Sequence, residues 1–325
     1  MKRRILLVAA AALGVGLWHS VPALAQAYPE KPITIVVPFA PGASDTAARI
    51  VAEHMTKTLG QRVLVENRPG ASGAIGTEFV KRAAPDGYTL LFGAASQMTI
   101  NPLVKKLNYD PRTDFTYVGL MGVAPYVLAI NSSIPAKNPK ELVAWAKAQP
   151  QPLKMGNAGV GSLSDIAALL FAHYTGVKVL SVPYKGTHPA AIALEAGEAP
   201  AMVATYVSFP GGIQSGKVKV LAVAADRRLP NVPDIPTFAE AGIPNFEMGQ
   251  WWGIYGPKGI PAPILKTLNE ALNAALNDSD VRKRFGDIGA IPVTGTPGDH
   301  GAYLMKEYKR WEEIIRTTGV VKSPS

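Results

Sequence analysis

The feature that most constrains the fold is an alternation of short apolar runs with segments whose apolar residues recur at helical spacing. In the first part of the chain it predicts strands and helices at Ile33–Val37, Asp45–Leu59, Arg62–Glu66, Ala74–Ala84 and Tyr88–Phe92. It resumes after Pro125, at Tyr126–Ile130, Pro139–Ala148 (with Asn138 as N-terminal cap), Lys154–Gly156, Ser162–Tyr174, Lys178–Val182, His188–Glu195, Pro200–Ala204 and Lys217–Ala224. Such alternation is typical of parallel sheets with helices on their faces, so the sequence predicts an α/β fold.

The two sets of elements predict two lobes. The chain closes with a predicted strand and three helical stretches, at Trp251–Tyr255, Ala262–Leu276, Asp280–Phe285 and Pro297–Thr317. We expect this last part to complete the first lobe. Domain 1 is therefore discontinuous, with residues 26–124 and 226–325, and domain 2 spans residues 125–225. The chain crosses between them near 122–126 and 225–250, and a small ligand is expected in the cleft.

The first 25 residues have the pattern of a secretory signal peptide. Residues 2–4 are basic, residues 5–17 are continuously apolar, and Ala23-Leu24-Ala25 supplies the small residues that signal peptidase requires. We predict cleavage after Ala25 or Ala27 and a periplasmic mature protein. An uncleaved anchor is the less favoured alternative, because the apolar run is shorter than the roughly 20 residues of a bilayer span.

Composition excludes several kinds of site and partner. The sequence contains no cysteine, which excludes disulfides, thiolate metal sites, a cysteine nucleophile and a lipidated cysteine anchor. The formal net charge of +9 falls to +6 without the three basic residues of the signal peptide. Lysine and arginine are scattered, so we expect no nucleic-acid partner. The basic surface either aids solubility or attracts small anions. No later stretch is apolar enough to predict membrane insertion after the signal peptide is cleaved.

Catalytic and metal-binding patterns are missing from the sequence. The five histidines, His19, His54, His173, His188 and His300, include no pair at metal-ligand spacing, and HExxH and GxSxG motifs are absent. We therefore predict no metal, no cofactor and no enzymatic activity, and expect each mature histidine at the surface or in the core. Trp251 and Trp252 are predicted as strand residues, one packed inward and one outward. Alternatively, one of them walls the cleft.

Loops between strands and helices are the candidate binding elements. Backbone N–H groups at a helix start lack intrahelical partners and lie at its positive end, so such loops suit an anion. The first loop contains Gly42, Ala43, Ser44 and Asp45, and Ser44 or Asp45 is predicted to cap the next helix. A second loop, residues 66–76, carries three glycines without a phosphate-binding motif and is predicted to be structural.

Two further loops lie in the second set of elements. The third loop, residues 156–165, opens a helix with Gly161 and Ser162. A carboxylate site and an ordinary capped turn are both open interpretations of it. The fourth loop, residues 182–187, contains Tyr184, Lys185 and Gly186. There we expect the backbone N–H groups of Lys185 and Gly186, rather than the lysine ammonium group, to be the main donors.

Several short motifs, in this order and spacing, together resemble one family. They are P-F-x-P-G at 38–42 with Asp45 and Ala48-Arg49, E-N-R-P-G-A at 66–71, D-G-Y-T-L at 86–90, V-P-Y-K-G at 182–186, Gly216-Lys217 with Leu221-Ala222-Val223 and Arg227, and P-T-F-x-E-x-G at 236–242. On these residues, nearly the whole mature chain resembles the Bug-type extracytoplasmic solute receptors of tripartite tricarboxylate transporters.

The resemblance implies a two-lobed type II periplasmic-binding-protein fold that closes on a small organic acid. It implies that Gly42–Asp45 and Tyr184–Gly186 grip one carboxylate of the ligand, partly through water. The rest of the ligand is then expected to contact the loop 93–97, the Gly161–Ser162 turn and a domain-two strand end; the contact candidates are Ala95, Ser96, Gly161, Ser162, Thr205 and Tyr206. Membrane transporter subunits are the implied partners, and we expect a monomer.

The chain departs from the family pattern at three places near the cleft. Its first loop has one residue and one glycine fewer than the usual P-G-G-x-x-D, Asp165 stands where a histidine is usual, and Pro200 replaces an aspartate. Asp165 adds negative charge near the expected site. An exported enzyme on the same scaffold, and a sensor that presents its liganded form to a membrane kinase, stay open as alternative functions.

Overall fold

The computed structural model describes residues 28–229 and 232–319. The predicted signal peptide lies outside the described residues. The strands are β1 Ile33–Val37, β2 Val63–Asn67, β3 Thr89–Ala94, β4 Phe115–Asn131, β5 Leu153–Asn157, β6 Val179–Pro183, β7 Ala201–Thr205, β8 Val218–Val223, β9 Gly249–Pro257 and β10 Ile291–Pro292. The helices are α1 Ala43–Leu59, α2 Ala74–Lys81, α3 Asn101–Val104, α4 Pro139–Ala148, α5 Leu163–Thr175, α6 Thr187–Ala196, α7 Pro210–Gln214, α8 Ala262–Asn277, α9 Ser279–Asp287 and α10 Pro297–Thr318.

The strands form one continuous path that changes partners in the middle of β4. The order is β2-β1-β3-β9-β4-β7-β5-β6, and β8 and β10 also pair with β4. The first part of β4, up to Pro125, pairs with β9, whereas the part from Tyr126 pairs with β7 and β8. Two sheet halves, each covered by helices, therefore make two lobes that share one strand. The α/β prediction is confirmed.

The long strand β4 is the main difference from the predicted elements. The sequence predicts a strand from Tyr126, but β4 begins at Phe115. The missed part contains Gly119 and Gly122, and its register against β9 shifts twice. Glycine lowers strand propensity, so this part lacks a local signal. Pairing with β9, and with β10 at Gly122, fixes its extended conformation instead.

Helices cover both faces of the first-lobe sheet. On one face α1, α8 and α9 enclose a core that includes Phe92, Trp252 and Leu272. On the other face α10 packs against Trp251 and its neighbours in the sheet. Trp251 and Trp252 are each only 2% exposed. The prediction that one of them faces outward is therefore wrong, because both faces of this sheet are buried.

Helix α10 brings a histidine into the core. It starts with a capping box in which Thr296 and Asp299 exchange hydrogen bonds. One turn later His300 is completely buried, and its ring centroid lies 4.4 Å from that of Tyr255. Both ring nitrogens lack a hydrogen-bond partner among the described residues. Burial lowers the pKa of His300 to about 3, so the ring is neutral in the folded protein near pH 7.

Three chain segments are joined by backbone hydrogen bonds where the chain crosses between the lobes. The Tyr126 N–H donates to the Met248 carbonyl, the Met248 N–H to the Ala224 carbonyl, and the Ala224 N–H to the Tyr126 carbonyl, each at 2.8 Å. Next to them, Gly249 of β9 pairs with Pro125 of β4. The chain thus passes between the sheet halves within β4 and again after β8, close to the two predicted crossings.

None of the helices in residues 28–229 and 232–319 combines the length and the apolar character that a membrane-spanning helix needs.

Candidate functional site

The carboxyl ends of the parallel strands in both lobes face the crossing. Ala94, at the end of β3, pairs with Trp252, which pairs on its other side with Gly122 of β4. Thr205, at the end of β7, pairs with Tyr126, farther along the same strand. At about 3.3 Å per residue, Gly122 and Tyr126 lie about 13 Å apart along β4. Loops that follow the parallel strands of either lobe therefore open onto one cleft between the lobes.

The first loop ends in a helix start that no side chain caps. Helix α1 begins at Ala43, with Gly42 as N-cap residue in an extended conformation (φ 168°). The prediction that Ser44 or Asp45 caps this helix is wrong, because the helix begins before them and both lie in its first turn. The first intrahelical donor is Thr46, whose N–H bonds to the Gly42 carbonyl at 2.9 Å. The N–H groups of the three preceding residues have no intrahelical acceptor.

The Asp45 side chain holds the first loop in place. Its Oδ2 accepts a hydrogen bond from Arg49 Nε at 2.9 Å. Arg49 Nη2 donates to Asn67 Oδ1 at 3.3 Å, and Asn67 Nδ2 donates to the Phe39 carbonyl at 3.0 Å. The hydrogen bond from Arg49 holds the pKa of the Asp45 carboxyl below its ordinary value, against the effect of burial. Asp45 therefore links α1 to β2 and to the loop through Oδ2, whereas its Oδ1 is buried and has no hydrogen-bond partner among the described residues.

The loop after β3 continues directly into a helical turn. Ala95 is buried and Ser96, which opens the turn at 96–100, is half-buried. Gln97 is fully buried; its Nε2 donates to Thr77 Oγ1 at 3.1 Å, and its Oε1 has no partner among the described residues. A Cβ atom on Gly73 would lie 3.3 Å from that oxygen. Gln97 thus packs against Gly73 and supports the second loop. No motif in the sequence predicts this role.

The third loop is closed by the side chain of Asp165. Its Oδ2 accepts the Gly161 N–H at 2.8 Å, and its Oδ1 accepts the Ser181 hydroxyl at 2.6 Å. Asn157 Nδ2 lies 3.4 Å from the same Oδ1. In turn, the Ser162 hydroxyl caps α5 by accepting the Asp165 N–H at 3.2 Å. Two of the groups predicted to contact a ligand, the Gly161 N–H and the Ser162 hydroxyl, are therefore already bonded within the protein.

An apolar side chain stands at the tip of this third loop. Val160 is 86% exposed and lies between two glycines with positive φ, Gly159 at 124° and Gly161 at 76°. These backbone conformations favour glycine and produce the sharp turn. The tip of the third loop therefore presents an exposed apolar side chain.

The fourth loop leads to a second uncapped helix start. Helix α6 begins at Thr187, and its N-cap residue Gly186 has φ 113° and no side-chain cap. Tyr184 is half-buried, and its N–H donates to the Asn157 carbonyl at 3.0 Å, which joins the fourth loop to the third. Burial raises the pKa of the Tyr184 hydroxyl. Lys185 is exposed.

Of the predicted contact residues in the second lobe, Thr205 lies closest to the point where the chain crosses between the lobes. Its Oγ1 is 2.9 Å from Ser208 Oγ, in the turn that follows β7. The structure therefore puts the predicted residues of five loops at strand ends that face the crossing, and their contact with one ligand stays a prediction. Within residues 28–229 and 232–319, no group of three or more histidine, aspartate or glutamate side chains could hold a metal ion.

Comparison with known proteins finds relatives along almost the whole chain. The family of tripartite tricarboxylate transporter receptors, TctC, matches residues 47–320. Protein BugT of Bordetella pertussis (strain Tohama I) is 35% identical over 301 residues, which cover 92% of this chain and 92% of BugT.

Two solved structures have a similar fold. The structure of R. palustris Rpa4515 with adipate has a TM-score of 0.80 and 33% identity, and the match covers 90% of this chain and 98% of that one. MatC (Rpa3494) from Rhodopseudomonas palustris with bound malate has a TM-score of 0.76 and 38% identity, over 89% of this chain and 100% of that one. These similarities confirm the predicted two-lobed fold.

Proposed function

The chain belongs to the family of tripartite tricarboxylate transporter receptors, and from this premise we propose that it is a periplasmic receptor that captures a small organic carboxylate between its lobes and delivers it to a membrane transporter. The observation that carries the proposal is a pair of helix starts, one from each lobe. Helices α1 and α6 both begin after a glycine and have no side-chain cap. Each follows a strand whose carboxyl end faces the cleft.

Uncapped helix starts leave donors for a ligand. Helices α4, α5, α9 and α10 are capped by the side chains of Asn138, Ser162, Asp278 and Thr296. Helices α2, α3, α7 and α8 also lack a side-chain cap, so what sets α1 and α6 apart is their position after strands that end at the cleft. A carboxylate bound at α1 and α6 would take the place of such a cap. It would accept backbone N–H groups at the positive ends of both helices. Because the two helices belong to different lobes, one carboxylate would also hold the lobes together.

We propose the same lobe limits and contact residues that the sequence predicts. Residues 26–124 with 226–325 form one lobe and residues 125–225 the other, which the change of β4 partners at Pro125 and Tyr126 supports. The proposed contact residues are Gly42, Ala43, Ser44, Asp45, Ala95, Ser96, Gly161, Ser162, Tyr184, Lys185, Gly186 and Thr205. At these positions the Gly161 N–H already donates to Asp165, and the Ser162 hydroxyl accepts the Asp165 N–H.

The receptor is proposed to act as an exported monomer that binds without turnover. Membership of a receptor family supports binding over catalysis. The basic start, apolar run and A-L-A site of the sequence support export. A ligand recovered chemically unchanged after long incubation with the protein is the expected result. Conversion of the ligand would favour an exported enzyme instead.

A thermal-shift screen tests the receptor proposal. The mature chain is mixed with mono-, di- and tricarboxylates, amino acids and aromatic acids. A ligand at about 100 times its Kd stabilises the folded state by about 2.7 kcal/mol, which raises the Tm by several degrees. If no organic acid raises the Tm, and native mass spectrometry of freshly purified protein finds no bound acid, the receptor proposal fails.

Substitution of Gly42→Val tests the first loop. A Cβ atom there would have only the Ala40 carbonyl oxygen nearby, at 3.9 Å, so the fold tolerates a side chain. Valine is a poorer N-cap than glycine, and we expect a stability loss of no more than about 1 kcal/mol. Its branched side chain at the helix start should crowd a bound carboxylate and weaken binding at least tenfold by calorimetry. Gly42→Ala should weaken it less. Unchanged affinity in Gly42→Val would show that the first loop does not hold the ligand.

A further inference from the structure

The third loop already holds a carboxylate, which is the protein's own. Asp165 is only 9% exposed, and its two oxygens accept the Gly161 N–H at 2.8 Å and the Ser181 hydroxyl at 2.6 Å. Of the three helix starts in the cleft, those of α1, α5 and α6, only that of α5 has a side-chain cap. One N–H group at the start of α5 is thus bonded to a side chain, and the starts of α1 and α6 have no such cap.

The charge of Asp165 is not neutralised by an ion pair. All partners of its carboxylate in the described part of the chain are neutral: the Gly161 N–H, the Ser181 hydroxyl and the Asn157 amide. A second anion next to this carboxylate would be repelled, and the repulsion is stronger in a cleft from which closure excludes water. The start of α5 therefore disfavours a second negative group on the ligand.

The third loop lies within reach of a ligand held by the fourth. Strands β5 and β6 are neighbours, with Asn157 opposite Pro183. The Tyr184 N–H donates to the Asn157 carbonyl at 3.0 Å, so the two loops touch. A ligand whose carboxylate lies at the start of α6 is therefore next to the third loop, which carries the charge of Asp165.

We propose that Asp165 is a specificity residue that selects against a second carboxylate. The ligand is then a monocarboxylate whose far end is uncharged or cationic, such as an amide, a hydroxyl or an ammonium group. This inference rests on the proposed receptor function. It separates the chain from the similar structures that hold adipate and malate, which are both dicarboxylates.

Matched pairs of acids test this selectivity. Each dicarboxylate is compared with its half-amide of equal length: succinate with succinamate, glutarate with glutaramate, adipate with adipamate, and terephthalate with 4-carbamoylbenzoate. We expect the half-amide of every pair that binds the mature chain to bind at least tenfold more tightly by calorimetry.

Substitution of Asp165→Asn removes the charge and keeps an acceptor for the Gly161 N–H. We expect the ratio of the dicarboxylate Kd to the half-amide Kd to fall at least tenfold, mainly because the variant binds the dicarboxylate more tightly. Asp114→Asn is the matched control. Asp114 pairs with Lys81 at 2.9 Å and lies just before β4, at the end of this strand that is away from the crossing. It should leave the preference unchanged.

The outcomes separate this inference from the proposed function. If a dicarboxylate binds at least as tightly as its half-amide, the inference is wrong and the receptor function stands. This comparison needs no variant and so remains decisive if Asp165→Asn does not fold. If neither these acids nor any in the wider screen bind, both the receptor function and the inference fail.

Discussion

Substitution of Gly249→Ala is expected to lower the free energy of unfolding by about 3 kcal/mol. Gly249 pairs with Pro125 where the chain crosses between the lobes. A Cβ atom there would lie 2.6 Å from the Ala124 carbonyl oxygen and 2.8 Å from the Pro125 Cα atom. Both are backbone atoms, so they cannot rotate away as a flexible side chain would. Strand β9 would have to move away from β4, next to the hydrogen bonds that join Tyr126, Ala224 and Met248.

Urea unfolding at pH 7, followed by circular dichroism, measures this loss. Gly286→Ala is the matched control, because Gly286 lies in helix α9 and a Cβ atom there meets no atom within 4 Å. Alanine should stabilise the protein at that position by about 0.5–1 kcal/mol, since glycine is unfavourable in a helix. A Gly249→Ala variant as stable as the wild-type protein would show that β4 and β9 are not held this closely.

The protein is also expected to lose about 2 kcal/mol of stability between pH 7 and pH 5 through His300 alone. Burial lowers the pKa of His300 to about 3 in the folded state, whereas an unfolded histidine has a pKa of about 6.5. Below pH 6.5 the unfolded chain therefore takes up a proton that the folded chain does not. The stability that His300 contributes is present above pH 6.5 and is lost as the pH falls toward 3. In this window each pH unit costs about 1.4 kcal/mol.

Substitution of His300→Leu should make stability less dependent on pH over this range. Leucine keeps an apolar side chain beside Tyr255 and carries no titratable group. Leu304→Ala, in the same helix and also fully buried, should lower stability by the same amount at pH 7 and at pH 5. Urea unfolding of the three proteins at both pH values distinguishes these effects. An equal pH dependence in wild-type protein and His300→Leu would contradict the assignment.

Much of the fold could be predicted because most elements carry their own local signal. Ile33–Val37 is a strand with the predicted bounds, since five β-branched residues in a row suit a buried strand. Asn138 caps α4 as predicted and accepts the Glu141 N–H at 3.0 Å. The first part of β4 has no such signal. Its conformation depends on β9, which follows more than a hundred residues later in the sequence.

The site was predictable as a set of loops but not in its hydrogen bonding. Small residues after strands indicate where backbone N–H groups are exposed, and the structure puts these loops at strand ends that face the crossing. The sequence also shows Asp165 in the first turn of a helix. It does not show that the side chain turns back to Gly161, because that conformation depends on Ser181, which the neighbouring strand β6 supplies. Whether a backbone N–H group is free for a ligand or is bonded to an acceptor of the protein itself therefore depends on tertiary contacts.

The shared strand β4 makes the two lobes inseparable as folding units. A cut between Pro125 and Tyr126 would put β3 and the first part of β4 in one fragment and β9, which pairs with both, in the other, so β9 would have exposed edges. Exposed strand edges promote aggregation. A reporter domain inserted to follow lobe closure should therefore avoid β4. It would be tolerated better at an exposed turn whose backbone makes few hydrogen bonds.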